Sequence, residues 1–123
     1  MINETPWDFD PEKIVNDFVI KYTELREIVQ GGPLVGKLSV NNIIISTYLF
    51  GGPYLYKDKY LYVPIFMKKV FRRGFVLARV YLNLPKIDFL SKIEDLIYLD
   101  RIENNRIFYY ADINKTMLRY CEF

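Results

Sequence analysis

Histidine is absent from this 123-residue chain, and cysteine occurs once, at Cys121. Without histidine no side chain has an ordinary pKa near neutrality, which removes the usual general base, the triads built on it and most zinc sites. One cysteine closes no internal disulfide and makes no CxxC metal site, so a disulfide-stapled secreted scaffold is excluded. Nucleophilic chemistry at Cys121 needs a base beside it, and a packed or half-exposed thiol is the expectation. Long apolar runs are also missing. The longest candidate, Leu38 to Leu55, is broken by Asn41, Asn42, Gly51, Gly52 and Pro53, short of the roughly 18 apolar residues of a membrane span. Met1 to Asp8 holds Glu4, Pro6 and Asp8 where an export signal has basic residues and then an apolar run. The expectations are a cytoplasmic address, no membrane partner, no metal and no cofactor.

What is present is apolar and aromatic. Apolar residues make up 51% of the chain, enough to build one core at a length that suits one domain, residues 1–123. Net charge is only +2, but it is segregated. Residues 1–30 carry seven acids and three bases (−4), residues 57–86 eight bases and one acid (+7), and residues 88–103 five acids and two bases (−3). Such blocks set up local fields unless the fold makes them face each other.

The pattern predicts an α+β fold: an N-terminal helix packed on an antiparallel, mostly meander sheet that is curled or barrel-like. Residues 1–30 form the N-terminal segment and helix. Asp10 suits an N-cap and Pro11 the first helical position, and Ile14, Val15, Phe18, Tyr22, Leu25 and Val29 recur at three- and four-residue spacing. Gly31-Gly32-Pro33 then stops the helix. Residues 34–123 read as strands. Ile43-Ile44-Ile45 is β-branched after an Asn41-Asn42 turn, and Lys57-Asp58-Lys59 joins two arms of a tight hairpin. Pro64 places Tyr60–Met67 on a sheet edge or marks a bulge. Arg72-Arg73-Gly74 is a turn before Phe75–Leu82, Leu96–Ile102 pairs with Ile107–Ala111, and Met117–Phe123 is a last strand or a docked tail.

Three patterns touch on catalysis or ligation and each falls short. Gly31 to Lys37 matches most of a phosphate loop, but Leu38 stands where Ser or Thr holds magnesium, and the expected helix precedes rather than follows it. Asp8, Asp10 and Glu12 mimic the start of a calcium loop, but Lys13 replaces the required Gly and Val19 the closing Glu. Asp88, Glu94, Asp95 and Asp100 could supply a glycosidase pair, although charges near turns are usually solvated. No catalytic residue is assigned, and the chain reads as a binding protein rather than an enzyme.

Tyrosine is the loudest feature, with 11 copies beside nine phenylalanines. Strand alternation places Tyr54, Tyr56, Tyr60 and Tyr62 on one face of the hairpin beside Lys57 and Lys59. As cross-strand pairs they would simply stabilise it. As an exposed patch they would recognise a partner, tyrosine being enriched at interface hot spots. With Lys68, Lys69, Arg72 and Arg73, residues 54–79 also suit a small nucleic-acid-binding module in which bases stack on tyrosine and phosphates meet lysine.

Gly51-Gly52-Pro53-Tyr54-Leu55-Tyr56, Tyr60-Leu61-Tyr62-Val63-Pro64, Phe75-Val76-Leu77-Ala78-Arg79 and Glu103-Asn104-Asn105-Arg106-Ile107-Phe108-Tyr109-Tyr110 together resemble the small bacterial immunity proteins of polymorphic toxin systems. The likeness is one of make-up: compact, aromatic-rich and catalytically empty. It implies a tight complex with a cognate toxin domain, in which the chain covers the toxin's active site or a nearby surface. On that reading Glu94, Asp95, Asp100 and Glu103 stand where phosphates go on a basic nuclease, and Tyr54, Tyr56, Tyr60 and Tyr62 are the apolar anchors.

Overall fold

A computed structural model describes residues 4–123. Met1, Ile2 and Asn3, part of the segment read above for an export signal, lie outside the described residues. The chain runs through β1 (Glu12–Val15), β2 (Phe18–Glu27), β3 (Leu34–Val40), β4 (Ile43–Ile44), β5 (Leu49–Phe50), β6 (Leu55–Lys57), β7 (Tyr60–Lys68), β8 (Arg73–Tyr81), β9 (Lys86–Phe89), β10 (Tyr98–Glu103), β11 (Arg106–Tyr110) and β12 (Leu118–Glu122). Among the described residues there is no helix, and so none long and apolar enough to cross a membrane.

The fold is therefore all-β, which corrects the expected α+β architecture. Residues 11–30 form a hairpin and a turn. Asn16 and Asp17 both take positive φ, 47° and 73°, as a two-residue type I′ turn requires, and short polar side chains tolerate that region best. Phe18-Val19-Ile20 and Tyr22-Thr23 then supply the β-branched and aromatic residues a strand favours. Ile20 and Tyr22 are buried while Lys21 between them is exposed, a period of two. The helix-like spacing arose because the stripe spans two strands: Ile14 and Val15 lie in β1, and Phe18, Tyr22 and Leu25 in β2. Asp10 caps no helix. Its Oδ1 accepts the Glu12 N–H at 3.1 Å, and the Pro11 carbonyl accepts the Tyr22 N–H at 2.7 Å. Gly31 sits at φ 79° in the turn that Gly32 closes by donating to the Val29 carbonyl at 2.8 Å, a position glycine fills without strain.

Nine strands form one antiparallel sheet along the path β1-β2-β3-β5-β7-β8-β9, with β4 on β3 and β6 on β7; β10-β11-β12 form a second. Strand β7 lies in the middle of the large sheet, so Pro64 marks neither an edge nor a bulge. Its partner Leu77 turns away from β7, donating to Ser91 Oγ and accepting from the Leu90 N–H, both at 2.8 Å. The Pro64 nitrogen thus faces the opposite side. There β5, which pairs Ile65 and Phe66, has ended and β6, which pairs Tyr60 to Tyr62, has not begun. The missing N–H costs no ladder bond at that gap.

Two apolar clusters occupy the two faces of this sheet. Ile20, Tyr22, Leu38, Val40, Phe50, Leu61, Val63, Ile65, Ala78 and Val80 lie in the first, together with Phe9. Tyr62, Phe75 and Leu77 lie in the second, facing Ile97, Leu99, Ile107, Tyr109 and Ala111 of the smaller sheet and its approach. The second face is covered by β10–β12 in place of the expected helix.

Candidate partner-binding surface

The tyrosine hairpin forms where expected but with a different register. Its turn is the two residues Asp58 and Lys59, both at positive φ (51° and 70°), so Lys57 opposes Tyr60, Tyr56 opposes Leu61 and Leu55 opposes Tyr62. Residues directly opposite share a face, and a turn shorter by one residue moves one arm to the other face. The expectation that the four tyrosines share a face is thereby corrected. Tyr54 and Tyr56 pack toward the first cluster, Tyr60 and Tyr62 toward the second. Tyr62 is 1% exposed, its ring 5.0 Å from Phe123. Tyr54 stacks 6.2 Å from Tyr22. Tyr56 Oη accepts from the Lys59 N–H and from Asn16 Nδ2, both at 3.0 Å, tying two turns together. Tyr60 lies beside Tyr81 at 5.0 Å with the Arg79 guanidinium 4.6 Å from its ring centre. The hairpin's rings serve folding.

The four acids separate into two pairs. Glu94 and Phe75 exchange backbone hydrogen bonds, both 2.7 Å. The Glu94 carboxylate then accepts the Tyr109 hydroxyl at 2.6 Å and Arg119 Nε at 3.0 Å, with only 15% of its side chain exposed. Asp95 next to it is exposed and meets Arg72 at 3.3 Å. On β10, Asp100 and Glu103 both hold Arg101, and those hydrogen bonds push the guanidinium pKa up. Each acid is matched by a base, so the four do not make one bare anionic patch.

Burial pushes the Tyr22, Tyr54 and Tyr109 phenols well above the usual tyrosine range, with Glu94 reinforcing the shift at Tyr109 and burial and Glu94 raising Cys121 as well. A folded-state pKa above the unfolded value means stability that is fully present below that unfolded value and lost as pH rises beyond it. Thermal melts are expected to be flat from pH 7 to about 8, to fall slightly as the ordinary thiol range of Cys121 is passed, and to drop steeply above 10. The phenolate absorbance of Tyr22, Tyr54 and Tyr109 is expected to develop only on unfolding. A single smooth titration without unfolding would contradict the burial.

Sequence reading missed the outer face of the small sheet. The pairing places Tyr98, Tyr110 and Leu118 in one cross-strand row, Arg101, Phe108 and Tyr120 in the next, and Glu103, Arg106 and Glu122 in the third. Cations cover the rings: Arg101 lies 4.2 Å from Phe108, Arg106 4.6 Å from Tyr120 and Lys115 4.4 Å from Tyr98. Comparison with protein-family models, curated proteins and solved structures finds no match to this chain. What the surface can do therefore rests on its own chemistry. Leu118 and Tyr120 are about half exposed (48% and 49%), and β12 is an edge strand. Phe108 and Tyr110 alternate with the buried Ile107 and Tyr109, a period-two signal that the sequence carries. Which alternate faced solvent depended on where the small sheet docked. Of the expected site residues, Asp100 and Glu103 border this face and the other six do not.

Proposed function

We propose that the chain is a non-enzymatic protein-binding domain of the immunity kind, which neutralises a toxin domain in the producing cell's cytoplasm by covering its active site or a nearby surface. The observation that carries the reading is the outer face of β10–β12. Tyrosine, phenylalanine and arginine there form adjoining rows, and these residue types dominate interface hot spots. Asp100, Glu103 and Glu122 at its margin pair with Arg101 and Arg106, so the face offers charges of both signs to complementary groups on a partner. The nucleic-acid alternative loses its stacking platform, since Tyr62 is buried and the Arg79 guanidinium is already committed to the Tyr60 ring and to Asp88, at 3.6 Å.

Co-expression with a toxin-like domain, sought among the products of the genes beside its own, is expected to protect the host and to yield a stable complex. Tyr120→Ala and Phe108→Ser are expected to weaken that complex by about thirtyfold each, the size of an ordinary hot spot, in protein that still melts cooperatively. Absence of both complex and protection sinks the reading. A complex indifferent to both substitutions moves the interface elsewhere.

A further inference from the structure

The β7–β8 hairpin ends in a turn unlike the others. The tight turns at Asn16-Asp17, Asn41-Asn42, Asp58-Lys59 and Asn104-Asn105 each centre on Asn or Asp, the residues such turns favour. At the end of β7–β8, Lys69 donates to the Arg72 carbonyl at 2.7 Å and Arg72 to the Lys69 carbonyl at 3.3 Å, and the two residues between are Val70 and Phe71. They are 89% and 98% exposed, the two most exposed large apolar side chains among the described residues. Burial this slight does nothing for the fold. Local chemistry that breaks a rule without a folding gain points to function.

The flanks break a second rule. Register places Lys68 opposite Arg73, and the turn's hydrogen bonds place Lys69 opposite Arg72. Like charges directly opposite destabilise a strand pair. Asp95 answers Arg72 at 3.3 Å, while Lys68, Lys69 and Arg73 make no ion pair among the described residues. Strand β5 pairs no farther than Phe66, so the ribbon end extends past that neighbour. The result is a tip with two apolar side chains foremost and four cations directly behind, three of them without an acid partner among the described residues.

We propose that this tip docks on an anionic lipid bilayer surface, with Val70 and Phe71 entering the boundary between headgroups and acyl chains and the four cations meeting lipid phosphates. Residues along a strand are about 3.3 Å apart. The cations therefore sit roughly 3–7 Å behind the tip, which matches the roughly 5–10 Å depth of interfacial elements. A bilayer fits better than nucleic acid because base stacking uses a series of aromatic faces, whereas here one ring is paired with an aliphatic side chain that has no π-face. The inference is independent of the partner-binding reading and uses a different surface.

The test is co-sedimentation of the whole chain with phosphatidylcholine vesicles containing phosphatidylserine, with pure phosphatidylcholine vesicles, and anisotropy with single-stranded RNA and duplex DNA. Binding is expected to the anionic vesicles only, and to weaken as salt rises. Phe71→Ser is expected to reduce partitioning about tenfold, and Lys68→Ala with Lys69→Ala by about fivefold for each cation removed. Both sites are at the surface, and unchanged melting temperatures are the control for folding. No binding to anionic vesicles overturns the proposal. So does vesicle binding indifferent to Phe71→Ser, or Phe71-dependent binding to RNA or DNA without vesicle binding.

Discussion

Gly74→Ala is expected to destabilise the chain by about 3 kcal/mol. A Cβ built on Gly74 falls 2.2 Å from the Glu94 carbonyl oxygen and 3.2 Å from Ile93 Cγ1. That oxygen is backbone and cannot swing aside, so the 93–94 segment must move. Moving it breaks the two 2.7 Å hydrogen bonds between Phe75 and Glu94, each contributing about 1 kcal/mol, and strains packing that tolerates little added volume. It also withdraws the Glu94 carboxylate from Tyr109 and Arg119, the link between β8 and the small sheet. Denaturant unfolding reads the loss directly. In the variant the Tyr109 phenol, held up chiefly by burial, is expected to be raised less, because Glu94 no longer adds to the shift. Stability within about 0.5 kcal/mol of the parent would show that the segment yields without cost.

Tyr62→Ala is expected to cost about 4 kcal/mol, the usual penalty for emptying a buried aromatic site, whereas Tyr120→Ala is expected to cost about 1 kcal/mol. Tyr62 is 1% exposed and sits among Leu77, Ile107 and Phe123 in the cluster between the sheets. Tyr120 is 49% exposed and packs only on Phe108 and under Arg106. Paired melts of the two variants separate a folding tyrosine from a surface one. Equal losses would contradict the assignment of the hairpin's rings to the core.

Much of the β architecture was legible because its signals are local. Asn-Asn and Asp-Lys turns, β-branched runs and the 54–62 hairpin depend on a few adjacent residues, and each appears close to where it was read. The helix failed for a related reason. A stripe at three- and four-residue spacing can come from one helix or from two short strands joined by a tight turn. Asn16-Asp17, in the middle of the stripe, was the deciding signal. The site residues were harder to read. Tyr54 and Tyr62 have the same local pattern, and a single residue of turn length separated their faces.

By itself the sequence determined the absence of histidine-based chemistry, of an internal disulfide and of a CxxC metal site, the apolar mass for a core and the positions of most turns, because each follows from residue type or from neighbours in the chain. Only the tertiary structure decided which alternate of each strand was buried, that β10–β12 rather than a helix cover the second face, that every candidate acid found a base, and that Phe108, Tyr110 and Tyr120 look outward. Strand pairing joins residues far apart in sequence, and a shift of one residue exchanges the inner and outer faces. No local pattern carries that choice.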